Sequence, residues 1–413
     1  MEKKGYKNPF IVQRPIKYGE PFCNRKREME LLEGAAARSE AVCILSIRRF
    51  GKSSLANQII GRLEEKGWLT LRVDLSRCYS AGSLARELAK GLDSLQGRWR
   101  ALIRDLKDAA RIRPQITFDP LTSQPAIGFD FSRPADELEQ VKNILRQIVT
   151  LPDKAGPQAH LCLVLDEFQS IRRIDPKGRL EWLFRAEFQE RGSSFVPFLL
   201  GSERHLLEMM IYEESSAFFK SVTPLGLETL PEEELLAFVM EQFQSTIGRQ
   251  ITGNRIRGIY RIFGGHPYAI NWFFSELWDL EERSSGPEPL ETWVEIALRI
   301  ILNQRQYYEA LNSRLPLGAR KVLLAIAAHE PVKRLYSRDF MVNACGMAQG
   351  SLQSAIKVLK EEDKIKKTPR GYVINDPLER LVIAVADLDE EALAGFIRAR
   401  IEQAGRRETV RPL

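Results

Sequence analysis

Two short segments of the chain combine residue types that suit the binding and hydrolysis of a phosphate anhydride. Residues 46–53 read Ser-Ile-Arg-Arg-Phe-Gly-Lys-Ser, which is typical of a phosphate-binding loop. Residues 160–167 read His-Leu-Cys-Leu-Val-Leu-Asp-Glu, which is typical of a buried strand that ends in two carboxylates. Gly-Lys-Ser alone is common by chance, and an Asp-Glu pair after an apolar strand is often a solvated turn. Together the two segments predict nucleotide hydrolysis.

The first segment lies in the order of elements that a phosphate-binding loop requires. Residues 41–45 form a short apolar run typical of a strand in a parallel sheet, and residues 54–60 begin a helical pattern. In this order the backbone N–H groups of residues 48–53 point into the loop at the positive end of the helix dipole, where they enclose a β-phosphate. Lys52 is expected to reach the β and γ oxygens. The predicted ATP-binding residues of the loop are Arg48, Arg49, Phe50, Gly51, Lys52, Ser53 and Ser54.

The residues beside the loop lysine and at the strand end suit a metal-dependent reaction. We expect Ser53 to place its hydroxyl on Mg²⁺, and Asp166 to hold the same ion directly or through a water molecule. Glu167 follows the metal ligand and is placed to orient and deprotonate the attacking water. The sequence therefore predicts Glu167 as the catalytic base, with Lys52 as the cation that binds the transferred phosphate.

Two serines occupy positions that bear on this chemistry. Ser202 follows the predicted strand 195–201, where a side chain that senses the γ-phosphate would lie, although a serine at a strand end is also a common helix cap. Ser46 stands where such loops normally begin with glycine, which permits a tight turn and a close backbone approach. Serine adds a Cβ there, and we expect nucleotide binding to survive the change.

The composition fits a cytoplasmic protein of two or three domains. Of the 413 residues, 44% are hydrophobic and 28% charged, which is enough apolar material for a proper core. The first residues lack an apolar signal region, and no run approaches the ~18 apolar residues that span a bilayer. The five cysteines are scattered and odd in number, which suits reduced core thiols, and no Cys/His cluster predicts zinc.

Several further segments complete a pattern that resembles a known family. They are Asn8-Pro9-Phe10, residues 22–25 with Glu28, the Arg-Arg-x-Gly-Lys-Ser-Ser run at 48–54, Leu-Asp-Glu-Phe at 165–168, Gly201-Ser202 and Gly265-His266-Pro267. The combination resembles the archaeal-type P-loop ATPases of the STAND class, which are relatives of the AAA+ proteins. The resemblance implies an α/β fold with an AAA+-like parallel sheet of the P-loop NTPase type, a helical lid and a C-terminal winged helix, working as a nucleotide-dependent switch.

Breaks in the pattern predict four regions. These are an ATPase core at 1–228 with an inserted hairpin at about 113–132, a helical lid at 229–312, a winged helix-turn-helix at 313–384 and a C-terminal tail at 385–413. Within the lid, residues 264–267 read Gly-Gly-His-Pro, which by itself is an efficient helix stop and restart. In the resembled family this junction faces the nucleotide, which implies that His266 and Pro267 contact the nucleotide and report its phosphate state.

The C-terminal region carries much of the chain's excess charge. Residues 316–376 hold eleven Lys or Arg and six Asp or Glu, a balance of +5 against +6 for the whole chain. Helical patterns followed by a basic hairpin predict a winged helix that binds double-stranded DNA, with a protein partner as the alternative. The second helix of the motif offers Gln349, Gln353, Ser354 and Lys357 to a major groove, and the wing offers Lys366, Lys367 and Arg370 to phosphate or the minor groove.

These patterns predict a Mg²⁺-dependent ATPase whose nucleotide state sets the arrangement of lid and winged helix. A nucleotide-dependent homo-oligomer or a DNA-bound form is expected to be active. Two alternatives stay open: a non-catalytic, nucleotide-gated adaptor that binds protein, and a replication or transposition loader akin to AAA+ initiators. A P-loop kinase is disfavoured, because no phosphoacceptor site can be recognised in the sequence.

Overall fold

A computed structural model of the chain describes residues 7–23, 25–95, 114–118, 125–129, 137–190 and 192–404. The chain divides into two compact units. The sheet unit comprises Lys26–Ser46 and Leu55–Leu227, and the helical unit comprises Met1–Arg25, Ile47–Ser54 and Glu228–Leu413.

The sheet unit is built on five parallel strands: β1 (Val42–Leu45), β2 (Leu69–Asp74), β5 (Leu161–Asp166), β6 (Phe195–Gly201) and β7 (Thr223–Gly226), in the order β2-β5-β6-β1-β7. Every residue of β5 and β6 is buried, because both strands lie inside the sheet with their two faces covered. β2 lies at one end of the sheet and alternates between buried and half-buried side chains. The α/β fold with a parallel sheet is therefore confirmed.

The register of the sheet brings three strand ends to one edge. Leu45 of β1 pairs with Gly201 of β6, and Leu165 of β5 pairs with Leu199 of β6. Because all three strands run in the same direction, the residues that follow them emerge together. Ser46, Asp166 and Ser202 thus share the carboxyl edge of the sheet, where parallel α/β proteins bind their ligands.

Seven helices are described in or entering the sheet unit: α1 (Lys26–Ala37), α2 (Lys52–Glu65), α3 (Ala81–Ser94), α4 (Glu137–Ala155), α5 (Ser170–Ile174), α6 (Arg179–Gln189) and α7 (Arg204–Tyr212). Ser80 begins α3 with a capping box, since its hydroxyl accepts from the backbone of Ser83 and the Ser83 hydroxyl accepts in return. β3 (Pro114–Phe118) and β4 (Pro125–Phe129) pair antiparallel in a sheet of their own, where the sequence predicts a hairpin. The rest of that hairpin lies outside the described residues.

The helical unit contains the predicted lid helices and the winged helix. α8 (Glu232–Ile247), α9 (Gly253–Phe263), α10 (Pro267–Arg283) and α11 (Leu290–Asn312) bury aromatic residues in one cluster. α9 ends at Gly264 in the left-handed conformation, and α10 begins with Pro267 in its first turn, so the predicted stop and restart is confirmed. α14 (Pro377–Ala384) and α15 (Glu390–Gln403) pack in the same cluster, to which α15 contributes Leu393, Ile397 and Ile401. The segment predicted as a tail thus contains a packed helix.

The winged helix has its own apolar cluster. It is formed by α12 (Leu317–His329), a π-helical turn (Asp339–Ala344), α13 (Gln349–Glu361) and the antiparallel strands β8 (Ile365–Thr368) and β9 (Gly371–Ile374). Just before the π-helical turn, the Ser337 hydroxyl accepts a hydrogen bond from Phe340 N at 3.3 Å. An isolated bridge between Val332 and Tyr372 adds a third segment beside the wing.

Candidate nucleotide site

The predicted phosphate-binding loop leads from β1 to α2, which begins at Lys52. Arg49 and Gly51 have φ angles of 66° and 81°, so the backbone visits the left-handed region twice within three residues. Such alternation is typical of loops in which successive N–H groups form an anion-binding concavity. The Lys52 side chain is buried, as is Phe50. The loop therefore has the backbone geometry and the cation that a phosphate group requires.

Residues from distant parts of the helical unit hold this loop. Arg25 is 2% exposed, and its Nη2 donates to the carbonyl oxygens of Phe50 at 3.0 Å and Glu228 at 2.9 Å. Ile16 N donates to the Ser54 hydroxyl at 3.0 Å. The Ser54 hydroxyl therefore links the N-terminal segment to the loop. Sequence reasoning missed Arg25 as a loop anchor, although it lies in the segment that carries the family resemblance.

The Arg49 side chain is held by two helices of the same unit. Its guanidinium carbon lies 4.4 Å from the ring centroid of Tyr268 on α10 and 4.9 Å from that of Tyr307 on α11. Its Nη1 donates to Gln304 Oε1 at 3.3 Å. The side chain is thus committed to cation–π contacts, and the predicted role of Arg49 in nucleotide binding rests on its backbone N–H.

His266 is almost fully buried at the start of α10. Its Nδ1 accepts from Ala269 N at 3.4 Å, so the proton of the neutral ring is assigned to Nε2. Nε2 lies 3.6 Å from Asp376 Oδ1 and has no hydrogen-bond partner among the described residues. Burial lowers the pKa of His266, with Asp376 acting against this and Arg49 reinforcing it. The side chain is therefore a neutral, buried donor, which fits a phosphate oxygen as its acceptor.

Asp376 connects His266 to the last helices of the unit. Its Oδ1 caps α14 by accepting from the backbone of Leu378, and its Oδ2 accepts from the Tyr308 hydroxyl at 2.5 Å. Burial raises the pKa of Tyr308, and the neighbouring Asp376 carboxylate adds to that rise. The phenol therefore stays a donor, and the carboxylate keeps a fixed position beside the imidazole.

In the sheet unit, the predicted metal ligand Asp166 is paired with an arginine. Arg72 on β2 lies one strand away, with 2.5 Å between its Nη2 and Asp166 Oδ2. Arg72 Nη1 also donates to Asn57 Oδ1 of α2 at 2.6 Å. Sequence reasoning missed this contact, for which the available signal was one arginine between the apolar residues Leu71 and Val73 of the strand.

The predicted base and the predicted phosphate sensor meet at the same sheet edge. Glu167 Oε2 accepts from the Ser202 hydroxyl at 2.7 Å, from Ser202 N at 3.3 Å and from Gln169 Nε2 at 2.6 Å. Glu167 has a φ angle of 52°, which is uncommon for a residue with a Cβ and often marks a functional site. Sequence reasoning missed Gln169, which lies two residues after the base.

Ser46 occupies the first loop position with its side chain buried. It is 1% exposed, and its hydroxyl has no hydrogen-bond partner among the described residues. A buried hydroxyl without a partner is costly by about 1–3 kcal/mol. The serine is thus accommodated sterically, while its hydroxyl remains available to a ligand.

The predicted DNA-binding residues lie in the helical unit. Gln349, Gln353 and Lys357 are exposed on α13, and Lys357 lies 3.8 Å from Glu361 on the same helix. Lys367 and Arg370 are exposed on the wing, whereas Lys366 donates to Glu228 Oε2 at 2.9 Å. The structure thus presents a polar helix face and a basic hairpin, with Lys366 engaged within the chain.

The described residues contain no group of three His, Cys, Asp or Glu side chains placed to hold a metal ion. Mg²⁺ in nucleotide sites is held by one or two side chains together with phosphates, so such a group is not required. Within the ranges described, no helix is long and apolar enough to cross a membrane.

Two regions of the chain match family models. Residues 22–273 match the model of the ATPase domain predominantly from Archaea, and residues 306–384 match that of a probable winged helix domain. Since the first match covers more than half of the chain, the protein belongs to the family of ATPase domains found predominantly in Archaea.

Solved structures share this fold at low sequence identity. A Walker-type ATPase of Pyrococcus abyssi is 19% identical with a TM-score of 0.62, over 91% of this chain and 99% of that one. The ORC2 protein of Aeropyrum pernix, solved in ADPNP–ADP complexes, is 14% identical with a TM-score of 0.57, over 97% and 99% of the two chains. No curated protein matches the sequence. These likenesses bear on the fold alone.

Proposed function

We propose that the protein is a Mg²⁺-dependent ATPase of the STAND type, in which nucleotide state controls a winged helix that binds double-stranded DNA. The observation that carries the proposal is the Glu167 carboxylate, held by Ser202 and Gln169 beside Asp166 at the carboxyl edge of the sheet. A solvated turn would leave these side chains in water. Here they are partly buried and mutually bonded, which is typical of catalytic groups.

The loop residues bind the phosphates in this proposal. The backbone N–H groups from Arg48 to Ser53 surround the β-phosphate, and Lys52 neutralises the β and γ oxygens. Ser53 and Asp166 are the residues that would hold Mg²⁺. When bound, the ion supplies positive charge to the β and γ oxygens as charge develops on them.

Glu167 and Ser202 act on the water that attacks the γ-phosphorus. Glu167 accepts a proton from that water, while the new bond to phosphorus forms and the bond to the bridging oxygen breaks. The Ser202 hydroxyl fixes the carboxylate and is the polar group that would respond to the γ-phosphate. The products are ADP and inorganic phosphate.

His266 is proposed to report the phosphate state. Its unpartnered Nε2–H is a neutral donor for a phosphate oxygen, and Pro267 fixes the start of the helix that carries it. Asp376 lies beside the ring and caps α14, while Tyr308 of α11 bonds the same carboxylate. A displacement of His266 by phosphate is therefore expected to reach the helices that flank the winged helix.

The first test is steady-state ATP hydrolysis with Mg²⁺, with and without duplex DNA, for the wild type and Glu167→Gln. We expect the variant to bind ATP with unchanged affinity and to lose turnover by about 100-fold or more, because the amide cannot accept the proton. Glu139→Gln is the matched control, since Glu139 is an exposed carboxylate on α4. Undiminished turnover in Glu167→Gln would remove this residue as the base.

DNA binding by the winged helix is tested by the salt dependence of affinity. With a labelled duplex of random sequence at 50–200 mM salt, Lys367→Ala should reduce the slope of log affinity against log salt by about one. Lys366→Ala should change it less, because its ammonium is paired with Glu228. Equal slopes for the wild type and Lys367→Ala would favour a protein partner. DNA-stimulated turnover with nucleotide-dependent homo-oligomers would favour the loader alternative.

One observation favours the non-catalytic adaptor as a second candidate. The Arg72 guanidinium already neutralises Asp166 and would compete with Mg²⁺ for the same carboxylate. Tight ATP binding with no turnover, both with and without DNA, would support the adaptor and direct attention to protein partners. Turnover that appears only with a partner would fit the ATPase, with Arg72 as the reason for its slow basal rate.

A further inference from the structure

Gln169 is a buried amide aimed at the proposed catalytic base. It stands at the start of α5, is 1% exposed, and its Nε2 donates to Glu167 Oε2 at 2.6 Å. The same nitrogen lies 3.4 Å from Glu203 Oε1. Because both neighbours are carboxylates, which only accept hydrogen bonds here, the nitrogen end of the amide is assigned to face them.

The fold reserves space for this side chain. Gly201 is the last residue of β6, and a Cβ placed there would lie 2.2 Å from Gln169 Oε1 and 2.4 Å from Leu207 Cδ1. Gly201 does not have a positive φ, so a glycine is required here because of the lack of space for a Cβ and not because of the backbone conformation. The strand end that precedes Ser202 is thus shaped to admit the glutamine amide.

The nitrogen and the oxygen of the Gln169 amide differ in their hydrogen bonding. Its nitrogen is bonded to Glu167, whereas its oxygen has no hydrogen-bond partner among the described residues. Leaving a buried carbonyl oxygen without a donor costs about 1–3 kcal/mol. A glutamine kept only for packing would be replaced by an apolar side chain without that cost. The contact that offsets the cost is the one to Glu167.

We propose that Gln169 is a positioning residue for Glu167, an inference that rests on the proposed ATPase function. Gln169 Nε2 and the Ser202 hydroxyl hold the same oxygen, Oε2, from two sides. Two donors from separate segments, one after β5 and one after β6, fix the plane of the carboxylate and therefore the direction from which it accepts the proton of the attacking water. Gln169 itself exchanges no proton and forms no bond to the nucleotide.

The test compares two substitutions at this position in the full-length protein. Gln169→Leu removes the donor at similar volume, and we expect kcat to fall by about 10- to 100-fold while ADP affinity stays within about twofold. Gln169→Glu places a second carboxyl beside the base. That carboxyl can donate a hydrogen bond to Glu167 only when it is protonated. The activity of the Gln169→Glu variant relative to the wild type should therefore rise as the pH is lowered from 8 to 6, and a packing defect would not produce this response.

Glu203→Gln is the matched control, since it alters the other neighbour of the same amide, and its kcat should stay within about twofold of the wild type. A wild-type kcat in Gln169→Leu would overturn the inference, as would a joint loss of kcat, ADP affinity and melting temperature. If Glu167→Gln retains turnover, the proposed function has failed instead. If Glu167→Gln is inactive and Gln169→Leu is fully active, the positioning role alone is wrong.

Discussion

The phosphate-binding loop and the carboxylate edge of the sheet are held in different ways. The loop is fixed from outside: Arg25, Tyr268 and Gln304 reach it from remote parts of the helical unit, and its own contribution comes largely from backbone N–H groups. At the carboxylate edge, Glu167 and Ser202 are the groups proposed to act on the attacking water, and they bond each other directly. The loop should therefore tolerate many side-chain changes, while the carboxylate edge should tolerate few.

The largest effect should come from Lys52, the loop residue whose side chain, and not only its backbone, is proposed to contact phosphate. Lys52→Ala removes the buried cation that is proposed to bind phosphate, and we expect ADP affinity to fall by about 100-fold or more. Isothermal titration with ADP measures this directly. Lys66→Ala, which changes an exposed lysine just after the C-terminal end of the same helix, should leave affinity unchanged. If Lys52→Ala retains affinity, the loop does not bind phosphate.

The next effect tests how tightly the carboxylate edge is packed. Gly201→Ala introduces a Cβ into the space of Gln169 and Leu207, and overpacking of this kind costs about 1–3 kcal/mol. We expect a lower free energy of unfolding and a loss of turnover greater than the loss of ADP affinity, measured by denaturant titration and kinetics. Gly34→Ala is the matched control, because its Cβ would meet only the flexible end of Arg38. An unchanged stability in Gly201→Ala would contradict the packing argument.

The contrast between the regions also explains what could be predicted from the sequence. The strands, the loop and the Asp166–Glu167 pair follow from patterns within a few residues, which report local periodicity and turn chemistry. Gln169, Arg72 and Arg25 were missed because their roles arise from contacts made by folding, such as Arg72 with Asp166 across 94 positions. The packed helix α15 was missed for another reason: charged and small residues separate Leu393, Ile397 and Ile401, so its amphipathic pattern is weak although these three side chains are buried.

A smaller effect concerns the buried histidine that packs against the loop. The ring centroids of His266 and Phe50 lie 5.0 Å apart, and burial holds the pKa of His266 below the 6.5 of an exposed histidine. As the pH falls below 6.5, the unfolded chain takes up a proton that the folded protein does not, so stability falls, by at most about 1.4 kcal/mol per pH unit until the folded pKa is reached. Asp376 favours the proton and Arg49 opposes it, which sets where the loss ends.

Thermal unfolding at pH 7.5 and 5.5 measures this loss, as the difference between the wild type and His266→Gln. The variant should lose less stability on acidification, because glutamine does not titrate. Parallel curves for the wild type and His266→Gln would mean that the imidazole is not held neutral in the folded state.

The smallest effect concerns the contact between Arg49 of the loop and Tyr307 of α11. The Arg49 guanidinium lies over the Tyr307 ring, and exposed cation–π pairs are worth about 0.5–1 kcal/mol. A double-mutant cycle with Arg49→Ala and Tyr307→Leu, read out as free energy of unfolding, should give a coupling of that size. The same cycle with Tyr336→Leu, on the winged helix, should give none.

If coupling to Tyr307 is also absent, the Arg49 side chain does not help to anchor the loop. The shape of the loop then depends on Arg25 and on backbone contacts. If coupling is present and ADP affinity also falls in Arg49→Ala, α11 stabilises the phosphate-binding form of the loop, which is the link that a nucleotide-controlled switch requires.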